Sequence, residues 1–298
     1  MRRKIPGMNR VLSLILLFVL AVGGYTLWTT RNAERPQPGA ATNQDARPLS
    51  AAGQAAFLPL VCGGASGGSD GYAHNCTSLP GYPSQDYGGA GTGLGITLTS
   101  VIYGHITDAT TAQAYVNYQG SFEPHVNNFG GGVLFNKSTT GWALAAWYPG
   151  GVLDNCLAVA PDGRIRLLCL LGYTGQGETD TGLYLATIPP PGPNGGGAPS
   201  LAPVLRASDL RGTLQPEDNC KLRLTPDQAV LLGIADLRRG GGFATAGITY
   251  VPAAQADAAC KSRHFAGTAA QTATLSLSLN GAAIVLAPHF NFAPAEGN

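Results

Sequence analysis

Over short stretches of residues 96–188 apolar side chains recur at every second position, and each stretch stops at a turn signal. Ile96, Leu98 and Ile102 share one parity with Thr97 and Thr99 on the other, and after 107–111 the alternation resumes over 113–119. A period of two sends alternate side chains to opposite faces of a strand. The pattern predicts strands at 96–104, 113–119, 132–137, 142–148, 155–160, 164–171 and 182–188. The stretch 129–171 reads as the centre of a core. It folds back twice, through Lys137-Ser138-Thr139-Thr140-Gly141 and Ala160-Pro161-Asp162-Gly163, and carries Trp142, Trp147, Cys156 and Cys169. In its second hairpin a four-residue loop sets Ala160 opposite Ile165 and Cys156 opposite Cys169. A three-residue loop offsets the cysteines, so a local disulfide requires the longer loop or a bulge.

A second patterned region follows a Pro/Gly-rich interruption at 189–199. Its strongest signal is Thr274-Leu275-Ser276-Leu277-Ser278-Leu279-Asn280-Gly281-Ala282-Ala283-Ile284-Val285-Leu286. Asn-Gly suits a type I′ turn. With Asn280-Gly281 as the loop, Leu275, Leu277 and Leu279 face Leu286, Ile284 and Ala282 on one apolar side, and Thr274, Ser276 and Ser278 meet water. Thr225-Pro226-Asp227-Gln228 reads as a capping box with proline at the first helical position, predicting a short helix to Leu232; a strand through 229–235 competes with it. A hairpin of 234–237 with 243–251 turns at 239–242, and 252–260 has room for another short helix.

These elements place the chain in the all-β class, as an antiparallel meander or sandwich. Short antiparallel strands at this spacing also suit propeller blades, and the segment loosely resembles degenerate repeats of that kind. The expected organisation is an N-terminal transmembrane or signal helix (1–30), a Pro/Ala-rich linker (31–56), a first β module (57–188), a Pro/Gly linker (189–203) and a second β module (204–298).

Composition sharpens the address. The chain has 298 residues, 44% hydrophobic and only 12% charged, with 42 glycines and 21 prolines. Basic residues at Arg2, Arg3, Lys4 and Arg10 precede an uncharged run at 11–28. Eighteen residues at helical rise span about 27 Å, close to the hydrocarbon core. The alternative is a cleaved signal peptide, with Ala21-Val22-Gly23 as a tolerable site. Either way the rest of the chain is exported, membrane-anchored or secreted. Six cysteines fit an oxidising compartment, and locality pairs Cys62 with Cys76, Cys156 with Cys169, and Cys220 with Cys260. Residues 51–298 carry 11 Lys/Arg against 15 Asp/Glu, a net −4 with no basic face for nucleic acid.

Chemistry is sparse. Gly64-Ala65-Ser66-Gly67-Gly68 matches the serine-hydrolase elbow as a string, without the helix that should follow. The five histidines show no HxH or HExxH spacing, so no metal site and no cofactor are expected. The 175–182 loop offers oxygens that calcium can use, without the EF-type spacing. Tyr72, Tyr82 and Tyr87 crowd the long loop before the first strand, a composition favoured at recognition surfaces when it does not simply cover a sheet edge. Glu123, His125 and Asn127 sit in an inter-strand loop, where binding residues are often displayed. The expectation is an exported, envelope-tethered, non-enzymatic binding or assembly module whose partner is an envelope protein or glycan. The alternative is a hydrolase of envelope polymers using Glu123, His125 and a further carboxylate, Asp154 or Asp108.

Overall fold

A computed structural model describes residues 45–63, 72–82, 94–120, 130–159, 165–175, 178–193, 195–207, 224–240, 242–262, 270–280 and 283–293. The expected membrane or signal helix lies outside them. Among the described residues, no helix is long and apolar enough to cross a membrane.

The strands form three sheets. The first contains β1 (Arg47–Pro48), β2 (Tyr72–Cys76), β3 (Leu94–Gly104), β4 (Gln113–Gly120), β5 (Gly130–Lys137) and β6 (Trp142–Pro149), in the order β1-β3-β4-β5-β6 with β2 also on β3. The second runs β10-β9-β8-β7, from β7 (Cys156–Val159), β8 (Arg166–Gly175), β9 (Glu178–Thr187) and β10 (Ser200–Arg206). The third runs β14-β13-β12-β11-β15, from β11 (Gln228–Gly240), β12 (Phe243–Pro252), β13 (Gln271–Asn280), β14 (Ala283–Ala287) and β15 (Asn291–Phe292). All pairings are antiparallel except the short β11–β15 contact. Two helices complete the described elements, α1 (Ala51–Val61) and α2 (Ala253–Ser262).

Alternation sorts these sheets into layers. One face of the first sheet, with Val116, Tyr118, Phe135 and Trp147, packs beneath Phe57, Leu58 and Val61 of α1. Its other face, with Ile102, Tyr115, Leu134 and Tyr148, meets Cys156, Leu167, Cys169 and Ala186 of the second sheet. The reverse of the second sheet, Leu157, Val159, Leu168 and Leu183, meets Leu231, Ile248, Leu275 and Leu277 of the third. On the far side, Ala256 of α2 covers Val230 and Val251. The order is therefore α1, three stacked sheets, α2. The second sheet is apolar on both faces because it is covered on both, and this gives β7 and β8 the near-continuous apolar runs of buried strands.

Three departures from the expected pattern have physical causes. Parity along β3 reverses at a bulge: Leu98 pairs with Tyr118 and Ser100 with Asn117, leaving Thr99 as the extra residue. Val101 thus joins Ile96 and Leu98 on the α1 side, while Ile102 moves to the opposite face. The expected helix after Thr225 is instead the start of β11. Thr225 N donates to Gln228 Oε1 at 2.9 Å and Thr225 Oγ1 to Asp227 Oδ1 at 2.6 Å, so the capping side chains close a turn. The residues that follow, Ala229-Val230-Leu231-Leu232, are apolar without helical period and extend into the sheet. Finally, β13 and β14 pair Leu277 with Leu286, Leu279 with Ile284 and Asn280 with Ala283. The connection is Gly281-Ala282, and the register lies two residues from the expected one. A shift of two preserves parity, so the hydrophobic pattern is satisfied equally by both.

The described parts of the segments expected as linkers, 45–56 and most of 189–203, lie along the body. Ala46 N donates to Cys156 O at 2.9 Å and Arg47 pairs with Val101. Ser50 caps α1 by accepting from Gly53 N at 3.1 Å, and its apolar side then docks on the sheet, with the Phe57 ring 4.7 Å from that of Phe135. Within 189–203, Gly196 N donates to Trp147 O at 2.8 Å, and the residues from Ser200 enter β10.

Candidate functional site

The bulge at Thr99 gathers a polar cluster in the first sheet. Thr99 Oγ1 and Ser100 Oγ donate to Asp154 Oδ1 at 2.8 and 2.6 Å. Asn117, fully buried, donates from Nδ2 to Ser100 Oγ at 2.8 Å and accepts from Leu153 N at 2.8 Å. The chain of bonds fastens the segment after β6 onto β3 and β4. Beside it the Tyr115 hydroxyl donates to Gly151 O at 2.6 Å. Its ring lies across Gly132, where an added Cβ would fall 1.8 Å from a ring carbon, so glycine is what allows this crossing. Burial pushes the Tyr115 phenol well above its ordinary range and the Tyr148 phenol up to about 12. Both stay protonated donors, Tyr148 to Pro189 O at 2.8 Å.

Asp108 is committed in the same way. Its Oδ1 accepts from Thr110 N, Thr110 Oγ1 and Thr111 N, each at 2.7 Å. The threonine side-chain bonds, foremost Thr111, and then the backbone bonds hold the carboxyl well below the usual carboxylate range. An ionised Asp108 closes its own turn and is no reservoir of protons near neutral pH. Asp154 and Asp108, the further carboxylates of the hydrolase alternative, thus each serve a local fold.

The other expected site residues distribute as follows. Tyr82 is buried, edge-on to Trp147 at 5.1 Å, and serves as core. The side chain of Tyr72, and all of Tyr87, Glu123, His125 and Asn127, lie outside the described residues, as does the 64–68 elbow string. Cys62–Cys76 and Cys156–Cys169 are disulfides, and Cys156 stands opposite Cys169 in the register that the longer loop requires. Cys220 and the side chain of Cys260 lie outside the described residues. Within 175–182, Glu178 is already paired with Gly175 in the β8–β9 ladder, which replaces the expected open loop with a tight hairpin. Among the described residues, no group of three or more His, Cys, Asp or Glu converges to hold a metal.

The sheet edges differ in how they are closed. Open edges invite pairing with other chains, and proteins cover or blunt them. β6 is covered by the Pro/Gly segment through Gly196, and β7 by Ala46 and by Asp45, whose Oδ1 accepts from Ala158 N at 2.7 Å. Arg239 of the third sheet clamps that carboxylate from Nε and Nη2 at 2.9 and 2.5 Å and reaches Ala158 O at 2.6 Å, tying second and third sheets together. β10 carries Pro203 and a register shift beside it. β15 has two residues.

β14 carries less of this, being five residues long and followed by Pro288. Among the described residues its outer edge pairs with nothing, and residues 271–287 contain no charge, no proline and no described bulge. Ile284 and Leu286 point toward the third-sheet core, while Val285 is 43% exposed on the other face beside Ser276 and Ser278. Sequence reasoning found this hairpin and divided its faces; that the strand lies last in its sheet is information the pattern does not contain. The chain matches no known family model, no curated protein and no solved structure.

Proposed function

We propose that this is an extracytoplasmic, envelope-tethered module that binds or assembles without catalysing a reaction. The observation that carries the reading is the uncharged edge of β14, which pairs with nothing among the described residues. Two disulfides, of a kind that persists outside reducing compartments, support the location. The Asp108 and Asp154 carboxylates and the Tyr115 hydroxyl are all engaged within the fold, which favours a scaffold that displays surfaces. The uncharged run at 11–28 serves as the tether, with the partner an envelope protein or glycan.

The test is crosslinking of intact cells, followed by mass spectrometry of whatever is joined to the chain. A recurrent protein linked through the third sheet supports the reading. Turnover of glycans, peptides or esters by the purified protein, abolished by Glu123→Gln or His125→Ala, overturns it.

A further inference from the structure

We infer that the open edge of β14 pairs antiparallel with β14 of a second copy, joining two third sheets across a two-fold axis at Val285. The inference rests on the assembly reading above and names the partner.

The pair that closes a two-residue connection is hydrogen-bonded, here Asn280 with Ala283. Bonded and non-bonded pairs alternate, so Ser278–Val285 and Ser276–Ala287 are bonded as well. Ala283, Val285 and Ala287 therefore spend their backbone groups on β13, and Ile284 and Leu286 direct theirs to the open side.

Ala283-Ile284-Val285-Leu286-Ala287 reads nearly the same in both directions in side-chain size and polarity. When two such strands run antiparallel with Val285 opposite Val285, Ile284 faces Leu286 of the second copy and Ala283 faces its Ala287. Both requirements of pairing then hold together. The open amide and carbonyl groups of Ile284 meet those of Leu286 in two bonded pairs, and the side-chain faces stay in register, with Ile284 and Leu286 continuing the inner apolar face and alanine and valine the outer one. A one-residue slip would oppose backbone groups already spent on β13. Contacts between identical patches close on themselves and form a dimer, not a fibre. No charge on residues 271–287 opposes its own image across the axis. One five-residue edge is smaller than a standard interface, so the association is concentration-dependent and profits from the local concentration that tethering to a membrane supplies.

The experiment uses the full chain with single cysteines on the outer face of β14, oxidised and run on a non-reducing gel. Val285 sits on the axis in a non-bonded pair, where facing Cα atoms are about 4.5 Å apart, within disulfide reach. Val285→Cys is expected to convert the majority of the chain to a reducible dimer. Ala283→Cys, whose own image lies four residues along the partner strand at roughly 13 Å, is expected to stay monomeric. Combining Ala283→Cys with Ala287→Cys restores the dimer. Val285→Lys, which opposes two like charges, is expected to weaken association by tenfold or more in sedimentation, with an unchanged melting point showing that the fold is intact.

Equal dimer from Val285→Cys and Ala283→Cys, or none from Val285→Cys, overturns the self-pairing. If β14 then crosslinks to a different protein in cells, the assembly reading stands and only its partner changes; if it crosslinks to none, both fall.

Discussion

The two hairpins most legible in the chain, β7–β8 and β13–β14, ended in different circumstances. In the first, all four residues of β7 are buried, Leu168 is fully buried, and a disulfide spans the pair at Cys156 and Cys169. Its register is the one that a local disulfide requires. In the second, Leu275 and Leu277 are buried but Leu279 is 40% and Val285 43% exposed, and the register lies two residues from the expected one. Burial of one face selects parity, since a slip by one would turn every leucine to water. It does not choose between registers two apart. A covalent link between named residues does, and where that link is missing the choice passes to the turn, in which glycine at the first of two loop positions serves as well as Asn-Gly.

The largest effect expected from this contrast comes from truncating equivalent leucines. Leu168→Ala leaves a cavity between two sheets and should cost about 3–4 kcal/mol, a fall of roughly 6–16 °C in melting temperature. Leu279→Ala, at the exposed end of the other hairpin, should cost less than about 0.5 kcal/mol. Equal costs in thermal or denaturant unfolding would mean that the second hairpin is covered after all. Replacing Cys156 and Cys169 together with alanine should cost about 3 kcal/mol, given a loop of sequence separation 13. If the register is set by the disulfide alone, the amide protection of β7 should collapse while that of β13 is unchanged.

A smaller effect tests the closed edges. Asp45→Ala removes an acceptor from Ala158 N and the partner of Arg239, which is itself partly exposed, so a loss of about 1–2 kcal/mol is expected. Hydrogen exchange should then rise at Ala158 and not in β14; exchange rising in β14 would show that this clamp also supports the open edge. The smallest effect is confined to one turn. The Asp108 carboxyl is depressed in the folded protein, so its contribution is fully present above the ordinary carboxylate range, near pH 4, and is lost as pH falls below it. Asp108→Asn should flatten the acid dependence of amide exchange at Thr110 and Thr111; an unchanged profile would mean that the turn holds without its charge.

The chain alone determined most of the strands, the all-β class, two of its disulfides and the sides of the β13–β14 hairpin. These follow from local period, turn residues and cysteine spacing, which act over a few residues. The expected strands at 113–119 and 142–148 differ from β4 and β6 by a single residue at one end. Tertiary structure decided the rest. The bulge at Thr99 reversed the parity of Ile102, because Ser100 and Asn117 find partners only when the loop carrying Leu153 and Asp154 lies against them. Pro/Gly residues that read as a spacer became the cover of β6, since the edge carbonyl of Trp147 is a long-range partner that no local pattern announces. Tyr82, which suited a recognition loop by type, was drawn into the core by Trp147. The exposure of β14 depends on the order of strands within a sheet. That order is set by which apolar faces meet across long sequence separations, and a pattern with period two carries no record of it.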